Sequence, residues 1–98
     1  MSSEIVIFAT AKALPGREAA LLAALAEVAG PTRVQPGCLR FELFRSDDGA
    51  QVTAVERWAS DADHAAHIKG AHVQTLMARF DGVLAGPPTI VQMAPVSA

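Results

Sequence analysis

Tyrosine is absent from the 98-residue sequence, and cysteine and tryptophan each occur once. The single cysteine, Cys38, cannot form a disulfide within the chain, which is typical of a reducing compartment and predicts a cytoplasmic protein. A zinc site built from several thiolates is excluded for the same reason. Long apolar runs are also missing, so the sequence predicts no membrane-spanning helix and no membrane partner.

Charge is scarce and scattered along the chain. Eight Lys and Arg residues against ten Asp and Glu give a net charge of −2. Because no basic stripe is available to neutralise phosphates, nucleic acid is not expected as a partner. The length fits a single domain over residues 1–98. Much of its hydrophobic fraction is alanine, so the core should be thin and would gain from a partner subunit.

Hydrophobic periodicity predicts the element order β-α-β-β-α-β. The predicted elements are a strand at 4–12, a helix at 17–29 ended by Gly30-Pro31, strands at 38–45 and 51–58, a helix at 60–70 that continues at 71–84, and a strand at 89–94. This order is typical of an α+β, ferredoxin-like fold with helices on one face of an antiparallel sheet. In the hairpin we expect Phe41 opposite Glu56 and Leu39 opposite Trp58.

The second face of the predicted sheet is also apolar. The first strand carries Ile5 and Ile7 on one side and Val6 and Phe8 on the other. Helices can cover only one of these faces, which favours a face-to-face homodimer that buries the other. The alternative is a monomer with a partly apolar sheet surface.

Several stretches together carry a family likeness. They are LPGRE at 14–18, QPGCLRFEL at 35–43, ERW at 56–58, AHI at 66–68, AHV at 71–73 and LAGPP at 84–88. In this order and spacing the chain resembles the antibiotic biosynthesis monooxygenase family, in its short quinol-monooxygenase-like branch, from about Ala11 to Pro95. The resemblance implies a dimeric α+β barrel with a pocket between sheet and helices in each subunit.

The family likeness also implies an activity. Members oxidise flat phenolic or polyketide substrates with O2 and without metal or flavin, so we expect a small aromatic substrate and no cofactor. Other members degrade haem, isomerise a phosphorylated sugar or have no established activity. Here the tyrosine often found at the Phe41 position and the first-strand asparagine are both missing. An isomerase and a non-enzymatic dimeric ligand-binding or stress module therefore stay open as alternatives.

Oxygenation without a cofactor needs a base that ionises the substrate, and histidine titrates closest to neutrality. Family position indicates His67 as the base and gives His72 a catalytic or pocket-edge role. Each could instead be an ordinary helix histidine, and His64 is expected to face solvent. We predict no metal site, because Gly70 interrupts the helix between His67 and His72.

Three further residues are candidates for binding the substrate. Trp58 and Phe41 could form flat walls for an aromatic ring, or could be ordinary core residues. Glu56 shares a strand face with Trp58, where a carboxyl group must be paired, protonated or exposed. It could bind a phenol hydroxyl group, or bond to a neighbouring strand or a partner subunit.

Overall fold

The computed structural model describes residues 3–97. Its elements are β1 (Ile5–Lys12), α1 (Glu18–Arg33), β2 (Cys38–Arg45), β3 (Gln51–Trp58), α2 (Asp61–Lys69), α3 (Ala71–Arg79) and β4 (Thr89–Met93). The four strands form one antiparallel sheet in the order β2-β3-β1-β4. The predicted α+β, ferredoxin-like arrangement is therefore confirmed. None of the helices within residues 3–97 is long and apolar enough to cross a membrane.

The helices differ from the prediction at their ends. Helix α1 does not stop at Ala29 but continues through Pro31 to Arg33. Because Pro31 lies in the last turn, only one helical hydrogen bond is lost. The hydroxyl of Thr32, 2.7 Å from the Val28 carbonyl, adds a bond of its own there. Helix α3 ends at Arg79, before the predicted Leu84.

The β2–β3 hairpin has the predicted register in part. Phe41 lies opposite Glu56, as predicted. The pairing of Leu39 with Trp58 is wrong, because a bulge between Cys38 and Arg40 places Cys38 opposite Trp58. The extra residue of a bulge leaves the ladder. Leu39 is accordingly 56% exposed.

The two faces of the sheet meet different surroundings. The face under the helices carries the largest buried side chains, including Ile7, Val52 and Trp58. The other face, here called the outer sheet face, holds Val6, Phe8, Phe44, Val55, Val91 and Met93. Three of these are well exposed in the single chain, Phe44 at 54%, Val91 at 41% and Met93 at 53%. The apolar second face is thus present, and the homodimer that would bury it stays a prediction.

Candidate active site

A cavity of about 130 Å³ lies between the helical face of the sheet and the helices. Three small residues on the two central strands, Ala9, Ala11 and Ala54, leave the space that larger side chains would fill. Most of the other lining side chains are apolar, namely Ile7, Leu25, Val28, Phe41, Ile68, Val73, Leu76, Met77, Phe80, Pro88 and Ile90. Such a lining suits a flat apolar molecule with few polar groups.

The polar part of the lining centres on Glu56 and His67, which are each 5% exposed. Strand β3 points Glu56 inward, because Ala54, Glu56 and Trp58 are successive residues of the same buried face of the strand. The indole N–H of Trp58 donates to Glu56 Oε1 over 3.0 Å. His67 Nε2 lies 3.8 Å from the same oxygen. A carboxyl group and an imidazole therefore share one buried spot at the wall of the cavity.

Helix α2 places His67 over the end of β3. The helix begins where Ser60 Oγ accepts a hydrogen bond from the Asp63 backbone N–H, which caps its first turn. His67 follows about two turns later. Its ring lies with its centre 4.7 Å from that of Trp58 and 6.3 Å from that of Phe41. Aromatic packing thus fixes the imidazole beside the cavity.

The second ring nitrogen of His67 also has a partner. Nδ1 lies 2.6 Å from the side-chain oxygen of Gln35, in the loop between α1 and β2. An amide oxygen can only accept, so this contact is a hydrogen bond when Nδ1 carries the hydrogen and donates it. In the neutral ring Nε2 then holds the lone pair on the side of Glu56.

Burial changes the acidity of both groups in opposite directions. Burial, together with the smaller effects of the nearby His72 and His64, lowers the pKa of His67 to about 4. Burial raises the pKa of Glu56, an effect that the hydrogen bond from Trp58 opposes. The 3.8 Å contact would be an ion pair only with a protonated imidazole. Since burial disfavours that cation, we describe the ligand-free His67 as neutral at pH 7.

Three of the five predicted site residues, His67, Glu56 and Phe41, line the cavity. Trp58 does not line it: the side chain is fully buried behind Glu56 and His67, which it contacts. The substrate-binding roles given to Phe41, Glu56 and Trp58 stay predictions.

The two remaining histidines lie on different sides of His67. His72 lines a separate depression with Thr75 and Arg79, and its Nε2 lies 3.3 Å from Thr32 Oγ1. Its catalytic role stays a prediction, and with this geometry it would act through the His67 ring, whose centre is 5.6 Å away. The expectation that His64 faces solvent is wrong. It is half-buried and lines the cavity.

Sequence reasoning missed Gln35 and Thr32, which contact His67 and His72 respectively. These partners lie 32 and 40 residues apart along the chain, and no local spacing connects them. The only available signal was the QPG turn that contains Gln35. Within residues 3–97 no group of three or more His, Cys, Asp or Glu side chains is arranged to hold a metal ion.

Comparison with known proteins identifies a family for the chain. The family model described as "Antibiotic biosynthesis monooxygenase" matches residues 4–79. A Mycobacterium tuberculosis relative named "Putative monooxygenase Rv0793" is 28% identical over 96 residues, which are 98% of this chain and 95% of the relative. The structure of Rv0793 matches with a TM-score of 0.91 at 27% identity over 98% of each chain. Protein PA3566 from Pseudomonas aeruginosa matches with a TM-score of 0.93 at 26% identity, over 99% of this chain and 98% of that one.

Proposed function

Because the chain belongs to the antibiotic biosynthesis monooxygenase family, we propose that it is a cofactor-independent monooxygenase that oxidises a single-ring phenol or quinol with O2. The observation that carries the proposal is the buried pair of Glu56 and His67 in the wall of a mostly apolar cavity. Such a cavity accepts a flat ring and offers one place where its hydroxyl group can lose a proton.

The first step of the proposed reaction is removal of the phenolic proton. His67 Nε2 holds a lone pair, because Nδ1–H is occupied by Gln35. A phenol bound in the cavity gives its proton to Nε2, and the Glu56 carboxylate 3.8 Å away stabilises the imidazolium that forms. A histidine with a pKa of about 4 is a weak base by itself. The base is therefore the pair rather than His67 alone.

The second step uses O2 directly. The phenolate passes one electron to O2, and the phenoxyl radical and superoxide combine at a ring carbon to form a peroxide anion. This anion takes the proton back from the His67 imidazolium and becomes a hydroperoxide on that ring carbon. That carbon then loses its proton while the O–O bond breaks, so one phenol and one O2 give one quinone and one water. The apolar walls formed by residues such as Val73, Leu76 and Phe80 keep bulk water away from the radical pair.

Cavity size supports a substrate with one ring. The volume is about 130 Å³, and an engineered apolar cavity of about 150 Å³ binds benzene. A fused polyketide would have to extend through the cavity mouth. The half-exposed apolar side chains of Ile68, Met77 and Ile90 surround part of the lining and would contact such an extension.

The working unit of the proposed enzyme is a cytoplasmic homodimer. The apolar outer sheet face supports this assembly, since a second copy would bury Phe44, Val91 and Met93 together. The single thiol of Cys38 supports a reducing compartment. Metal, flavin and haem have no part in the proposed reaction.

Oxygen uptake with a panel of phenols and hydroquinones tests the function. We expect O2-dependent formation of quinone by protein treated with a chelator. His67→Ala and Glu56→Gln should each lower kcat by about 10² to 10⁴, the usual effect of a positioned base. The loss should shrink as pH rises, because alkaline solution ionises the phenol without help. Gln51→Ala is the control, since Gln51 lies on the same strand as Glu56 but is exposed and does not line the cavity.

Two other results would contradict the proposal and favour its alternatives. Proton exchange or isomerisation of a bound ligand without O2 uptake would indicate an isomerase that uses the same pair. Saturable binding of aromatic ligands without any turnover would indicate a ligand-binding module. Wild-type turnover by both His67→Ala and Glu56→Gln at pH 7 would remove the pair from the mechanism.

A further inference from the structure

We propose that Gln35 is a positioning residue: its side-chain oxygen holds His67 in the tautomer with hydrogen on Nδ1, so that only Nε2 can receive a proton beside Glu56. The Gln35 Oε1 to His67 Nδ1 distance is 2.6 Å. The other ring nitrogen, Nε2, lies 3.8 Å from Glu56 Oε1. The catalytic consequence rests on the proposed function, whereas the tautomer is a property of the ligand-free protein.

In a neutral imidazole, this contact decides which ring nitrogen carries the hydrogen. One ring nitrogen donates and the other accepts, and an outside partner selects which is which. Without an acceptor at Nδ1, the hydrogen can move to Nε2, where it would point toward the buried carboxyl group. That ring would present no lone pair to Glu56 or to a phenol, and it could not accept a proton there.

The loop that carries Gln35 is fixed on both sides. The Gln35 N–H donates to Thr32 O over 3.0 Å, and its carbonyl accepts from Cys38 N–H over 3.1 Å. The next turn depends on Gly37, whose φ is +80°. A Cβ built on Gly37 would lie 2.2 Å from Cγ of Asp63, at the start of α2. Glycine therefore lets the loop approach the helix that bears His67.

A backbone hydrogen bond adds to this contact between loop and site. The N–H of Ala59, directly after β3, donates to Gly37 O over 2.8 Å. The loop is thus tied to the end of the strand that carries Glu56 and to the beginning of the helix that carries His67. The position of the Gln35 amide is set by the same elements that place the pair, as a preorganised site requires.

Nuclear magnetic resonance on the ligand-free protein tests the tautomer. Histidine is labelled with ¹⁵N, and long-range ¹H–¹⁵N correlations at pH 7 show which nitrogen carries hydrogen; His67→Asn identifies the His67 signals. We expect hydrogen on Nδ1 in the wild type and a shift toward Nε2 in Gln35→Met, which keeps the length but removes the acceptor. Gln51→Met is the matched control, because Gln51 is exposed at the far end of β3.

Gln35→Glu separates positioning from packing. A carboxylate still accepts from Nδ1, so the tautomer should persist, and the added negative charge should raise the pKa of His67 by about one to three units. In turnover, Gln35→Met should lower kcat by at least about tenfold with little change in KM, since a wrong tautomer can cost a catalytic histidine up to ~10⁴. Gln35→Glu should recover most of that loss.

The outcomes test the role of Gln35 and the proposed function separately. Hydrogen on Nε2 in the wild type, or an unchanged His67 tautomer in Gln35→Met, would overturn the role of Gln35. The expected tautomers without turnover of any phenol by any variant would support that role and refute the proposed function. Equal loss of kcat in Gln35→Met and Gln35→Glu, with the tautomer kept in Gln35→Glu, would show that positioning is not what Gln35 contributes to turnover.

Discussion

Acidification from pH 7 to pH 4 should destabilise the protein through His67. The pKa of His67 falls from an ordinary 6.5 to about 4 on burial. Each pKa unit corresponds to about 1.4 kcal/mol, so the difference between the folded and unfolded chains is worth about 3 kcal/mol. The side chain is only 5% exposed, so solvent screening reduces this figure little.

The sign of the effect follows from which state binds the proton. Between pH 6.5 and about 4 the unfolded chain is protonated at His67 and the folded chain is not. The free energy of unfolding contributed by the neutral ring is therefore fully present above pH 6.5 and is lost as the pH falls toward 4. Glu56 acts in the opposite direction, because its raised pKa favours protonation of the folded state.

His67→Asn isolates the contribution of His67. Asparagine does not titrate, so the variant retains Glu56 and loses the proton linkage of the imidazole, while the loss of ring packing affects its stability at every pH alike. Urea unfolding from pH 7 to pH 4, at fixed protein concentration, should show the wild type losing about 3 kcal/mol more than the variant. His64→Asn should change the pH dependence less, because His64 is only half-buried. Parallel curves for wild type and His67→Asn would refute the reasoning.

Three further predictions concern Glu56, Trp58 and the outer sheet face. Glu56→Gln should raise the melting temperature at pH 7, because burial raises the pKa of Glu56 and so makes its ionised form destabilising there; a lower melting temperature would contradict this. Trp58→Phe should lower the free energy of unfolding by at least about 1 to 3 kcal/mol in urea titrations, since Glu56 loses its indole donor and a smaller ring replaces a fully buried one; an unchanged value would show that neither the bond nor the packing contributes. Phe44→Glu should turn a dimer into a monomer in sedimentation equilibrium, whereas Arg45→Glu, at the exposed end of β2, should not; a wild type that sediments only at 10.2 kDa would refute the dimer itself.

The order of the elements could be predicted because its signals are local. Alternation marks β2 and β3, and the serine–aspartate spacing of Ser60 and Asp63 marks the start of α2. The ends of helices were harder, because a proline in the last turn of α1 costs only one hydrogen bond. The bulge at Leu39 depends on how β2 meets β3 and has no signal in either strand alone.

In the candidate site, too, only the features with a local sequence signal could be predicted. Glu56 and Phe41 could be placed on the inner sheet face by strand alternation, and His67 by its family position. The contacts that decide their chemistry could not be predicted. Gln35 reaches His67 from a loop, and the indole of Trp58 donates to Glu56 from behind the pair. Such contacts depend on side-chain packing between segments distant in sequence.

The three alanines that line the cavity, Ala9, Ala11 and Ala54, link the stability of the folded chain to its affinity for a ligand. Around a space of about 130 Å³, the apolar wall atoms do not make the dispersion contacts with the chain that larger side chains at Ala9, Ala11 and Ala54 would provide. A ring that fits against Ala9 and Ala54 supplies those missing contacts. A larger side chain at Ala9 or Ala54 would occupy the same space as a bound ring. A substitution that stabilised the ligand-free protein in this way would therefore weaken ligand binding.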